Sequence, residues 1–197
     1  MFVHLNTHST YSPMRGTAHQ RALVERAAAL EMPALALTEV NGLWGFINFV
    51  EEAEHAGVRP IAGTNILYDG ADLVLLARNR QGYENIARII SAVHYEEPAD
   101  ILEYVADRQE GVFVLCPDPE ALRRLAQSIP VSHLFAELRP GSRTRDLLRA
   151  GGAESGIPVE PVLGHLEGAL ALPGAEQRAD EGPAAGGKIS TPLSYVS

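Results

Sequence analysis

The sequence is short of several things, and each shortage closes off a class of function. It has a single cysteine, Cys116. One thiol makes no internal disulfide, as expected of a protein that works in a reducing cytoplasm. Positive charge is scarce: 16 Lys and Arg stand against 25 Asp and Glu, a formal net charge of -9. A surface that grips nucleic acid unaided carries the opposite balance, so autonomous nucleic-acid binding is not expected. No apolar run approaches the roughly 20 residues that span a bilayer, so no membrane is expected among the partners. The opening Met1-Phe2-Val3-His4-Leu5-Asn6 lacks the basic stretch and long apolar core of a secretory signal. No Gly-x-Gly-x-x-Gly follows the first candidate strand, and no Gly-x-x-x-x-Gly-Lys-Ser/Thr occurs anywhere. Both common phosphate-cradling signatures of open α/β sheets are therefore missing.

What is present is enough apolar material for one domain: 46% of 197 residues. Short apolar runs at Phe2–Leu5, Ala34–Leu37, Pro60–Ile61 leading to Asn65–Leu67, Leu73–Ala77, Val112–Leu115, Leu134–Leu138 and Ile157–Val162 have the length and composition of parallel strands buried on both faces. Between them lie stretches of helical period: Thr17–Leu30, Trp44–Ala56, Tyr83–Val93, Ile101–Arg108, Glu120–Ser128 and Arg143–Ala150. Gly57 is placed to end the second of these helices. Strand followed by helix, repeated, predicts a parallel α/β fold. About seven such units suit a closed barrel, and the pattern alone does not exclude an open doubly wound sheet. From Pro173 to Lys188 the chain turns to Gly, Pro and charge with almost nothing to bury. The expected division is a domain over residues 1–170 and a flexible or disordered tail over 171–197.

In an α/β barrel the chemistry gathers at the C-terminal ends of the strands. Here those ends read Thr38-Glu39-Val40, Gly63-Thr64-Asn65, Cys116-Pro117-Asp118 and Leu163-Gly164-His165. His4, Asn6 and His8 are two residues apart along the first strand and its turn, which would put them on one face. Clustered His, Asp and Glu at such positions point to metal-assisted hydrolysis.

The order and wording of these segments resemble the PHP (polymerase and histidinol phosphatase) family, in its bacterial DNA polymerase III alpha branch. That branch opens Val-His-Leu-His-x-His-Ser-x-Tyr-Ser, and this chain reads Val3-His4-Leu5-Asn6-Thr7-His8-Ser9-Thr10-Tyr11-Ser12. The family's Ala-Leu-Thr-Asp-His-Gly-Asn-Leu-x-Gly is matched by Ala36-Leu37-Thr38-Glu39-Val40-Asn41-Gly42-Leu43-Trp44-Gly45. Its Gly-Ile-Lys-Pro-Ile-x-Gly-x-Glu is matched by Gly57-Val58-Arg59-Pro60-Ile61-Ala62-Gly63-Thr64-Asn65. Leu75–Asn79, Gly82–Ile86 and Ile90–His94 are similar to the same branch. The resemblance implies a distorted (β/α)7 barrel, and an active site of up to three metal ions held by His, Asp and Glu.

The departures from that pattern shape the functional expectation. Asn6, Arg15, Val40 and Asn65 stand where the family has His, Asp, His and Glu, and Glu39 replaces the neighbouring Asp. An Asn amide is a neutral and weaker oxygen ligand, Val40 cannot ligate, and Arg15 would bring a fixed positive charge to a cation site. Three remnant ligands survive: His8, His94 and His165. Each also has a structural reading: a hydrogen-bonded barrel histidine, a helix C-terminal cation and a loop residue, respectively. Glu39 is a candidate acid or base, with a structural reading as a salt bridge to Arg15. Cys116 reads as a buried small residue rather than a nucleophile.

The resulting expectation is a degenerate PHP domain without a cofactor. It would act as a structural or interaction module in DNA replication or repair, with polymerase or proofreading exonuclease subunits as partners. The alternative is a metal-dependent phosphoesterase or 3′-5′ exonuclease that uses one Zn or Mn ion.

Overall fold

The computed structural model of the chain describes residues 2–95 and 98–137. The expected strand Ile157–Val162, the helix Arg143–Ala150, His165 and the 171–197 tail lie outside the described residues. The elements run α1 (Gln20–Ala29), β1 (Ala34–Val40), α2 (Phe46–His55), β2 (Arg59–Tyr68), β3 (Ala71–Ala77), α3 (Arg80–Tyr95), α4 (Ile101–Ala106), β4 (Val112–Cys116), α5 (Pro119–Leu125) and β5 (Leu134–Ala136). The five strands form one sheet in chain order, β1-β2-β3-β4-β5.

The sheet is mixed, which corrects the all-parallel expectation. β1 and β2 are parallel, as are β4 and β5, but β3 is antiparallel to both its neighbours. The reason is local. Between β2 and β3 stand only Asp69 and Gly70, at φ 45° and 77°. Two consecutive left-handed residues make the tight turn that matches strand twist in a hairpin, and Asp-Gly is a preferred sequence for it. No crossover helix fits in two residues, so β3 must reverse. Helices α3 and α4 then both fall between β3 and β4.

The first expected strand is reduced to one parallel bridge, His4 to Leu35. The His4 carbonyl accepts the Ala36 N–H at 3.0 Å, and the Thr7 carbonyl accepts the Thr38 N–H at 2.9 Å. Three residues on one side thus span two on the other, a one-residue bulge. The bulge interrupts the alternation that would have aligned His4, Asn6 and His8.

One face of the sheet is covered by helices. α1 and α2 pack on β1 through Val24, Ala27, Leu35, Leu37, Phe49 and Ala53. α3, α4 and α5 pack on the rest, through residues such as Ile86, Ile89, Val105 and Leu125 against Leu73, Leu75 and Val114. Each fully buried isoleucine or leucine there contributes roughly 1.5–3 kcal/mol relative to exposure. The other face fills itself. Leu5, beside β1, and Phe135, from β5, belong to the same cluster as Ala34, Ala36, Ile61, Val74, Leu76, Phe113 and Leu115. The intervening strands link the two edges within this cluster, and a direct side-chain hydrogen bond from Asn6 to Glu137 at 2.9 Å shows that the sheet curls its edges toward each other.

The Gly82-Tyr83-Glu84-Asn85 segment gains a physical reason here. A side chain on Gly82 would lie 1.8 Å from the Gly111 carbonyl oxygen, so α3 can pass β4's entry only with glycine there. Asn85 Nδ2 donates to the Glu110 carbonyl at 2.9 Å, and Asn79 Oδ1 accepts the Gly82 N–H at 2.9 Å. The start of α3 is thereby fastened to the loop that leads into β4.

Candidate functional site

The curl brings polar side chains together where the sheet edges meet. Asn6, released by the bulge, sits between them. Its Nδ2 donates to Glu137 Oε1 at 2.9 Å, and its Oδ1 accepts the Thr38 hydroxyl at 3.1 Å. Thr38 Oγ1 in turn accepts the Thr7 N–H at 2.8 Å. Glu137 follows β5, and its own N–H donates to the Cys116 carbonyl at 2.9 Å. A chain of side-chain hydrogen bonds therefore runs from β1 through the bulged segment to the far edge.

On β2, Asn65 shares the inner face with Ile61, as does Asp72 of β3, whose register partner is Leu67. Asn65 is 0% exposed. Its Nδ2 donates to Asp72 Oδ1 at 2.7 Å and to the Leu73 carbonyl at 3.2 Å. Its Oδ1 meets no hydrogen-bond donor among the described residues. A buried amide oxygen left in that state carries a desolvation cost of about 1–3 kcal/mol.

Glu39 is 1% exposed and lies outside this chain of bonds. Its carboxylate accepts the Ser9 N–H at 3.1 and 3.3 Å, and the hydroxyls of Ser9 and Ser12 as well. Ser12 Oγ also accepts the Val40 N–H at 2.9 Å. The expected salt bridge to Arg15 is thus replaced by hydroxyl and amide donors. Arg15 itself is exposed, in the turn whose amide donates to the Ser12 carbonyl at 3.1 Å. The Ser-x-Tyr-Ser wording acquires a role: its two serines clasp the end of β1 and hold the loop over it.

The remaining sequence candidates are dispersed. His8 is half-buried in the loop between Thr7 and Ser9. His94, in the last turn of α3, contacts the Asn41 carbonyl through Nε2 at 2.7 Å. A carbonyl only accepts, so that nitrogen carries the proton and its lone pair is not available to a metal. Cys116 is fully buried, its thiol donates to the Asp118 carbonyl at 3.3 Å, and burial pushes its pKa up to about 12. Asp118, Asp72 and Glu137 add to the rise by their charge. A thiol held protonated in this way is not a nucleophile.

Sequence reasoning placed Thr38 at a strand end without giving it a role, and passed over Asp72 and Glu137. Asp72 was hidden by the reversal of β3, which puts the start of that strand, not its end, at this edge of the sheet. Glu137 was signalled only by its alternation with Phe135. Among the described residues no group of three His, Cys, Asp or Glu is gathered in a way that could hold a metal ion. The side chains at the two Asn positions are committed through their N–H groups, which are donors and cannot ligate.

The PHP domain model matches residues 4–137. The chain is 41% identical over 168 residues to an error-prone DNA polymerase of Symbiobacterium thermophilum, covering 84% of this chain and 14% of that protein. It is 36% identical over 126 residues to the DNA polymerase III subunit alpha of Escherichia coli K12, covering 58% of this chain and 11% of the relative. It therefore spans a small fraction of the length of these relatives. Among solved structures, a protein described as a metal-dependent phosphoesterase from Bifidobacterium adolescentis superposes with a TM-score of 0.53 at 14% identity, over 75% of this chain and 82% of its own. Motifs, mixed α/β fold and family match agree: the chain belongs to the PHP domain family and is related to DNA polymerase III alpha subunits.

Proposed function

We propose that this chain is a degenerate PHP domain, a structural or interaction module of a DNA polymerase III alpha-type protein in DNA replication or repair. On this reading it has little or no catalysis of its own and works in the cytoplasm beside polymerase or proofreading exonuclease subunits. On this reading its fold is a distorted barrel of the PHP type.

The observation that carries this reading is the Asn6 bridge between Thr38 and Glu137. At a position where the family resemblance calls for a ligand, the side chain spends both ends of its amide on joining the sheet edges. Glu39, the one candidate acid or base, is likewise engaged in holding a loop. Those bonds give each group a structural role in holding the fold.

Elemental analysis of the purified chain, paired with phosphatase and 3′-end nuclease assays in added Mn or Zn, tests it. The expected result is less than stoichiometric metal and no metal-dependent turnover. Stoichiometric metal together with turnover that His8→Ala abolishes would overturn it. That outcome would favour the second reading, a phosphoesterase or exonuclease with a reduced site of His8, His94 and His165 holding one Zn or Mn ion. The feature that favours it is the buried Asn65 Oδ1 beside Asp72, an oxygen that meets no hydrogen-bond donor among the described residues.

A further inference from the structure

The face of α3 turned away from the sheet carries a separate polar feature. A surface groove of about 370 Å³ is lined by Ala87, Arg88 and Ser91 of α3, and by Tyr104 and Arg108 at α4 and its C-terminal side. That volume falls at the small end of ligand sites, which run from about 300 to 1,000 Å³. Arg88 and Ser91 are three residues apart on one stripe of α3, and Tyr104 and Arg108 are four apart on the opposite wall.

The charge of this groove is the unexpected part. The ion pairs among the described residues are Arg21–Glu25, Arg80–Glu84, Arg123–Glu120 and Arg124–Asp100, and neither Arg88 nor Arg108 takes part in one. In a chain of net charge -9, carboxylates are in excess, yet among the described residues that line this groove two guanidinium groups stand without one. Neutral groups orient them instead. Arg88 Nη1 donates to Asn85 Oδ1 at 3.1 Å, and Arg108 Nη1 donates to the Tyr104 carbonyl at 3.4 Å. The Arg108 guanidinium carbon lies 3.7 Å from the centre of the Tyr104 ring. Neutral acceptors and a ring face fix direction without cancelling charge, and each guanidinium keeps most of its five N–H donors. Two such preset forks suit the oxygens of a phosphate, which guanidinium binds in a bidentate fashion.

We propose that the α3–α4 groove binds the phosphate group of a small molecule, either free phosphate or a phosphate monoester such as a nucleoside monophosphate, between Arg88 and Arg108. The site lies apart from the Asn6–Glu137 bonds and does not depend on the function proposed above.

Isothermal titration of the full chain with inorganic phosphate and with a nucleoside monophosphate, each against chloride at matched ionic strength, tests it. Saturable single-site binding that weakens about tenfold or more in Arg88→Gln is the expected result, a factor that corresponds to ~1.4 kcal/mol. Equal affinity for the two ligands would identify phosphate alone as the recognised group, and tighter binding of the nucleotide would add its organic part. Arg88 is exposed, so its replacement leaves the fold in place. Arg108→Gln, which also removes the stack on Tyr104, is read beside its circular dichroism spectrum. Heats no different from the chloride control for both ligands, or binding unchanged in Arg88→Gln, would overturn the proposal.

Discussion

Asn6 donates to Glu137 across 131 residues of chain, joining the segment beside β1 to the segment that follows β5. A contact of that reach depends on every strand between its ends being in place, and it makes the two edges of the sheet sense each other. Asn6→Ala and Glu137→Ala, alone and together, are expected to show a coupling of about 1 kcal/mol in a double-mutant cycle read by urea unfolding. Additive losses would show that the two edges are held by packing alone.

Glu39 is a buried carboxylate whose partners are hydroxyls and an amide rather than a cation. Glu39→Gln turns one acceptor oxygen into an NH2 that faces donors. A loss of roughly 2–3 kcal/mol of stability is expected, because hydrogen bonds to a charged group are the stronger kind. Limited proteolysis should then cut first within residues 9–16, the loop these bonds hold. An unchanged melting temperature would exclude the clasp.

Cys116 gives a pH dependence with a definite sign. Its thiol pKa rises from an ordinary 9.0 to about 12 in the folded chain. Below pH 9 the thiol is neutral folded or unfolded, so its contribution is intact. Between pH 9 and about 12 only the unfolded form ionises, so stability falls as pH rises through that window. Cys116→Ala should flatten this part of the stability curve. The native protein should also be inert to a thiol reagent at pH 8 and react only once unfolded; rapid labelling of the native state would contradict the burial.

Gly82→Ala places a methyl group 1.8 Å from the Gly111 carbonyl oxygen, backbone against which nothing flexible can yield. A destabilisation of about 2–3 kcal/mol is expected from thermal unfolding. Gly57→Ala is the informative companion. It has open space around it, but its φ of 70° strains any side chain, so its smaller loss measures conformation without the clash.

How far the sequence could be read follows from which interactions are local. Helix α3 was visible from the spacing of Ile86, Ile89 and Ile90, and its start three residues earlier at Arg80 is explained by the Asn79 side chain, which accepts the Gly82 N–H. β2 looked like two pieces around Gly63. It is one strand, because a side chain at Gly63 would meet the Leu75 carbonyl oxygen at 2.7 Å and the glycine is required by its neighbour. The reversal at Asp69-Gly70 was available as a two-residue turn signal, and the rhythm of alternating strands and helices obscured it. At the site, Asn6 and Asn65 could be singled out as departures from a motif. Their bonds to Glu137 and Asp72 could not, since those depend on strand register and on the curl of the sheet, neither of which is encoded within a short window.

The Asp69–Gly70 turn also bears on the order in which the molecule assembles. Closing two residues costs little chain entropy, so β2 and β3 can pair within microseconds and offer α3 a surface to dock on. The Asn6–Glu137 bond requires the whole intervening chain to be ordered first, and contacts of such separation are reached late. In a stopped-flow refolding experiment, a fluorophore pair across the sheet edges should therefore lag one placed across the hairpin. Edge-to-edge contact would then serve as a marker of completed folding, and the hairpin as its starting point.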